Sequence, residues 1–122
     1  MIIYHIAKHR DWEAAQEAGE YRTASLDGEG FIHCSTVEQV IDVANSFYLG
    51  QRGLVLLKIE VARLAAPMIW EPPAHPPGSM QPRAQSGDLF PHLYGPLNLD
   101  AVVAVAEFTP GPDGRFNLPA ST

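Results

Sequence analysis

Two histidines interrupt stretches that are otherwise apolar: His5 within Ile2-Ile3-Tyr4-His5-Ile6, and His33 within Phe31-Ile32-His33-Cys34. An imidazole changes charge near neutral pH, so two of them on strands of one sheet can flank a cleft and orient or protonate a ligand. Each also has a structural role open to it, as a hydrogen-bonded core or edge residue. Ser35 stands at the start of a helical pattern, where its hydroxyl can cap the first turn. The unpaired amides of that helix start favour an anion beside His33.

Phe90-Pro91-His92-Leu93-Tyr94-Gly95-Pro96-Leu97 is the most distinctive segment. Its two prolines fix the backbone, while His92 and Tyr94 carry polar tips on apolar bodies. A rigid packing turn and a ligand wall both fit that pattern. Glu71 follows a short apolar run, and Asp100 opens the last one. Both are expected at strand ends, where a carboxylate can serve a site or simply face solvent. Cys34 neighbours His33, but successive strand residues point to opposite faces, so it reads as a small buried hydrophobe rather than a nucleophile. His5, His33 and His92 follow no metal-ligand spacing, and no metal is expected.

The elements that must position these groups follow from hydrophobic period. Ile2 to Ile6 reads as a strand. Asp11 to Ala18 reads as a short helix, with Trp12 and Ala15 on one side, joined by Ala14 and Ala18, and Gly19 as its stop. Gly28 and Gly30 mark a turn into a strand at Phe31 to Cys34. Ser35-Thr36-Val37-Glu38 has capping-box spacing, and Val37, Val40, Ile41, Ala44, Phe47 and Tyr48 continue at helical spacing until Gly50. Leu54 to Val61 and Met68 to Trp70 read as buried strands, Phe90 to Leu97 as an irregular segment pinned to the core, and Asp100 to Phe108 as a final strand. Residues 72–88 are rich in proline, glycine and small polar side chains, which predicts an exposed loop with His75 on it. The tail from residue 110 to 122 is expected to be loosely attached. Mixed strands and two helices without strict alternation give an α+β domain with a small mixed or antiparallel sheet.

At 122 residues with 46% hydrophobic and 18% charged side chains, the chain suits one domain with a core of its own. Its formal charge is −6, from 14 acidic and 8 basic residues, and the basic ones are scattered. Binding to DNA or RNA needs clustered lysines and arginines, so neither is expected as a partner; a small anionic ligand held by a few donors is compatible. The single cysteine, the absence of a basic leader and the lack of a long apolar run predict a cytoplasmic protein away from the membrane.

Tyr4-His5, the helix from Trp12 to Gly19, Glu29-Gly30-Phe31-Ile32-His33-Cys34-Ser35, Glu38-Gln39, and Phe90 to Leu97 through Asp100-Ala101-Val102 together resemble the bacterial family called domain of unknown function 952. The match covers nearly the whole chain, from Ile2 to Pro119, apart from the proline loop. That family is similar in turn to the ADP-ribosyltransferase superfamily, which implies that fold and NAD as substrate. The resemblance assigns His5 to the first-strand position that holds a ribose. It matches His33, with Ser35 after it, to the nicotinamide pocket, and Asp100 to the acid that polarises the reacting ribose. The superfamily's usual acid is a Glu, and Asp reaches less far; Glu71 is the other candidate for that role. Under this reading His5, His33 and Asp100 are catalytic, and Ser35, His92, Tyr94 and Glu71 bind the ligand.

Three functions stay open on the sequence. One is an enzyme that cleaves or transfers ADP-ribose from NAD. Another is a non-catalytic module that binds a nucleotide or metabolite. The third is an interaction protein with structural histidines.

Overall fold

A computed structural model describes residues 1–73 and 89–119. The chain runs β1 (Ile2–Lys8), α1 (His9–Ala18), β2 (Glu20–Tyr21), α2 (Ala24–Gly28), β3 (Ile32–His33), α3 (Val37–Phe47), β4 (Leu54–Glu60), β5 (Met68–Glu71), β6 (Phe90–Leu93), β7 (Leu97–Asn98) and β8 (Val102–Phe108). Short 3-10 turns occupy Val61–Arg63 and Leu99–Ala101. The result is an α+β fold whose strands pair antiparallel in orders β1-β4-β8, β2-β7 and β3-β6-β5.

β4 explains the core. Alternate residues of a strand point to opposite faces, and its near-continuous apolar run supplies both. Val55, Leu57 and Ile59 join Ile3, Ala7, Trp12, Tyr21 and Leu97 on one side. Leu54 and Leu56 join Tyr4, Ile6, Val40, Ala44 and Phe108 on the other. α1 contributes Trp12 and Ala15 as its spacing predicts, but Ala14 and Ala18 stay exposed. The helix stops at Gly19, whose φ of 89° lies in the left-handed region and whose N–H returns to Ala15 O.

Several expectations are corrected. The cap of α3 is Thr36 rather than Ser35, and the carboxamide of Gln39, not Glu38, reaches back, with Thr36 N–H donating to Gln39 Oε1 at 3.0 Å. The cause lies across the fold. Ser35 exchanges backbone hydrogen bonds with Tyr4 at 2.7 and 2.8 Å, so it is held in an isolated antiparallel bridge and the helix begins one residue later.

Among the described residues there are three α-helices instead of two: α2 is added, with the Thr23 hydroxyl accepting from Leu26 N–H at 3.3 Å. Phe90 to Leu93 is not irregular but a fully buried strand, central in its sheet. Pro91 fits there although it lacks an N–H, and its carbonyl accepts from Cys34 N–H at 3.1 Å. β5 is an edge strand, with Ile69 and Trp70 exposed rather than buried.

The tail is also anchored. Phe116 is 1% exposed, stacks on Phe108 with centroids 4.7 Å apart, and donates its N–H to Asn45 Oδ1 at 2.7 Å. Of the proline loop, residues 74–88, including His75, lie outside the described residues, as does the end of the tail from residue 120. Among the described residues no helix is long and apolar enough to cross a membrane.

Candidate functional site

The bridge between Tyr4 and Ser35 brings the end of β3 against the edge of β1 that β4 leaves unpaired. His5 sits at this join and is 7% exposed. Its Nδ1 lies against the His33 carbonyl, which can only accept, so Nδ1 carries the proton. Its bare Nε2 accepts from the Tyr21 hydroxyl at 2.9 Å. Both ring nitrogens are thus committed to protein partners. Burial lowers the pKa of His5 to about 4, against an opposing contribution from the His33 carbonyl, so the ring is neutral at pH 7. Burial, and then the charge of Asp11, raise Tyr21 far above the ordinary tyrosine range, which keeps its hydroxyl a donor.

A cavity of about 560 Å³ opens beside this join. His5, His33 and Ser35 line it, as do the hydroxyl groups of Tyr21, Thr23 and Ser25. Tyr4 and Tyr48 add aromatic surface; Lys8 and Arg22 bring positive charge, and Asp11 negative. Arg22 is partly engaged, at 3.1 Å from Asp27 and 3.5 Å from Glu20. Ser35 is 5% exposed, and its hydroxyl has no hydrogen-bond partner among the described residues. Buried hydroxyl groups are normally satisfied, so this one points to water or a ligand in the cavity.

His33 also faces a second cluster. The register of β3 against β6 sets it directly opposite His92, which places both rings on one face of the sheet. Their centroids are 5.6 Å apart and nearly perpendicular. His33 Nε2–H donates to Glu29 Oε1 at 2.9 Å, while His92 Nδ1–H donates to Glu71 Oε1 at 2.8 Å. The same Glu71 oxygen accepts from the Tyr94 hydroxyl at 2.5 Å. Phe31 stacks on His92 at 4.1 Å and an interplanar angle of 18°. The Tyr94 and His92 hydrogen bonds hold Glu71 below the usual carboxylate range. Burial lowers His92, partly offset by Glu71, and the neighbouring His33 lowers it further.

Of the residues expected to serve a site, His5, His33 and Ser35 therefore share one cavity. His92, Tyr94 and Glu71 form a unit behind His33 and do not line it. Asp100 joins neither group. It is exposed in the 3-10 turn before β8, where Asn98 Nδ2–H donates to its Oδ1 at 2.6 Å and Arg63 reaches its carbonyl at 3.5 Å. Asp100 follows β7 in the turn before β8 and does not line the cavity. Cys34 is 3% exposed, and burial pushes its thiol up to about 12, so it serves as a core residue. Among the described residues, no group of three or more His, Cys, Asp or Glu is arranged to hold a metal ion.

Sequence reasoning passed over Tyr21, Asp11 and Glu29 as site residues. Tyr21 belongs to a two-residue strand with no period to reveal it, and Glu29 meets His33 only because Gly30, at φ 93°, folds the turn between them.

Comparison with known proteins places this architecture. No curated protein matches the chain. The crystal structure of protein CC0527 from Caulobacter crescentus is similar at 33% identity and TM-score 0.80, covering 97% of this chain and 95% of that one. A double mutant of the same protein matches at 32% identity and TM-score 0.80. Its solution NMR structure matches at 30% and 0.70, covering 99% of this chain and 96% of that one. A family model described as a protein of unknown function, DUF952, matches residues 6–105, and the chain accordingly belongs to that family.

Proposed function

We propose that the cavity beside β1 binds a small nucleotide-like ligand of the NAD class. The observation that carries this reading is the convergence on one cavity of about 560 Å³ of His5, His33 and a buried Ser35 hydroxyl that has no partner among the described residues. That volume lies within the range of small-molecule sites. Tyr4 and Tyr48 offer surfaces for a base or nicotinamide ring, the Ser35 hydroxyl suits a ribose oxygen, and Lys8 and Arg22 suit a diphosphate. The two strand motifs that resemble the ADP-ribosyltransferase superfamily support the same ligand class. His5 acts here as a positioning residue, because its ring atoms are occupied and its charge is fixed at zero.

A second reading adds chemistry on that ligand, and one observation favours it: Asp11 lines the cavity. In glycosidic cleavage the bond between ribose and nicotinamide breaks with its electron pair leaving on nicotinamide, and water or an acceptor hydroxyl supplies the new oxygen and releases its proton to solvent. Positive charge builds on the ribose, which a facing carboxylate stabilises. Asp11 lines the cavity and Asp100 does not, which supports giving this role to Asp11.

A ligand that binds only the folded state raises the melting temperature by mass action. NAD and ADP-ribose are expected to do so, and a nicotinamide-release assay with the wild type, Asp11→Asn and Asp100→Asn separates binding from turnover. Turnover lost in Asp11→Asn alone supports chemistry, and stabilisation without release supports the binding module. No melting shift from either nucleotide overturns the proposal.

A further inference from the structure

We propose, resting on the nucleotide reading above, that His33 is the cavity's contact for an anionic oxygen of the ligand. The His92–Glu71–Tyr94 unit, in this proposal, is the positioning set that fixes its ring. Of the two imidazoles at the cavity, only His33 has a ring atom to offer. Both nitrogens of His5 are taken by the protein, whereas His33 uses Nε2 on Glu29 and its Nδ1 has no partner among the described residues. Its side chain is 40% exposed, so a ligand can reach it.

The ring is held on three sides. Glu29 binds one nitrogen at 2.9 Å, Phe31 packs at 4.8 Å, and His92 stands perpendicular at 5.6 Å. His92 is itself fixed by stacking on Phe31 and by Glu71, which Tyr94 anchors in turn. Two imidazolium rings this close repel, so the pair takes up one proton in preference to two. Burial lowers His92, with Glu71 opposing it. His33 stands beside the Glu29 carboxylate and lines the cavity.

The other charged groups around His33 are Glu71 behind His92, neutral His5 below its carbonyl, and Lys8, Arg22 and Asp11 in the cavity lining. Protonated His33 would then donate Nδ1–H to a phosphate oxygen as a charge-assisted hydrogen bond. Neutral ligands gain nothing from that proton, so the arrangement selects the phosphate-bearing member of a nucleoside–nucleotide pair.

The test measures affinity for NAD, whose diphosphate keeps its charge across the range, and for uncharged adenosine, from about pH 8 down to about pH 5.5, where histidine titrates. NAD is expected to bind ~10-fold more tightly at the acid end, the equivalent of one good hydrogen bond to a charge, with adenosine unchanged. His33→Gln should abolish the pH dependence and leave adenosine binding intact. Glu71→Gln keeps an acceptor for His92 and Tyr94 but removes a negative charge, and should move the NAD midpoint to lower pH. NAD binding that is flat with pH, or a profile that His33→Gln leaves unaltered, overturns this assignment while the nucleotide site stands. Binding of neither compound at any pH sinks both proposals together.

Discussion

Acid should destabilise this protein through His5 in a measurable way. Its folded-state pKa of about 4, against the ordinary 6.5, means that the unfolded chain takes up a proton which the folded chain refuses. Stability from this group is complete above about pH 6.5 and is lost as pH falls towards 4, since the unfolded state binds more protons throughout that window. At about 1.4 kcal/mol per pKa unit, the loss amounts to about 3 kcal/mol, a large part of a small domain's stability. The ring is 7% exposed, so solvent screens little of this.

Urea unfolding of the wild type and His5→Gln at several pH values isolates the effect. Gln can still donate to the His33 carbonyl and accept from Tyr21, but it does not titrate. Other acid-sensitive groups, His92 among them, act on both proteins and cancel in the difference. The wild type's advantage over His5→Gln should shrink by about 3 kcal/mol between about pH 7 and about pH 4. A difference that stays constant across that window would refute the buried, neutral state assigned to this ring.

Three further outcomes follow from the packing. Tyr21→Phe removes the donor to His5 Nε2 and leaves a buried acceptor unpaired, so it should cost about 1–3 kcal/mol in chemical denaturation. Phe116→Ala should cost about 3–5 kcal/mol, because the ring is buried against Phe108; a change under about 1 kcal/mol would restore the picture of a loose tail. Gly95→Ala should destabilise by about 1–3 kcal/mol or more, since an added Cβ would lie 2.6 Å from the Ala66 Cβ, and a melting curve unchanged from the wild type would contradict that close approach.

Local pattern was enough for β1, α1, α3 and β4. Each carries its pattern within a few neighbouring residues, and burial of Val40, Ala44 and the near-continuous apolar run of β4 follows from that pattern alone. The polar interruptions at His5 and His33 were equally legible, because an imidazole inside an apolar strand stands out against its neighbours.

What the period could not carry was set by contacts distant in the chain. Tyr4 holds Ser35 in an antiparallel bridge and moves the cap of α3 to Thr36. Partners on both sides turn Phe90 to Leu93 into a central strand despite Pro91. Asn45 and Phe108 receive Phe116 and anchor the tail. The site follows the same division. Residue types were written in the chain, but the pairing register set His33 opposite His92, and the 3-10 turn before β8 kept Asp100 out. A side chain's chemistry is local, whereas its partners depend on which strands meet and in what register, and that is settled only when the whole core packs.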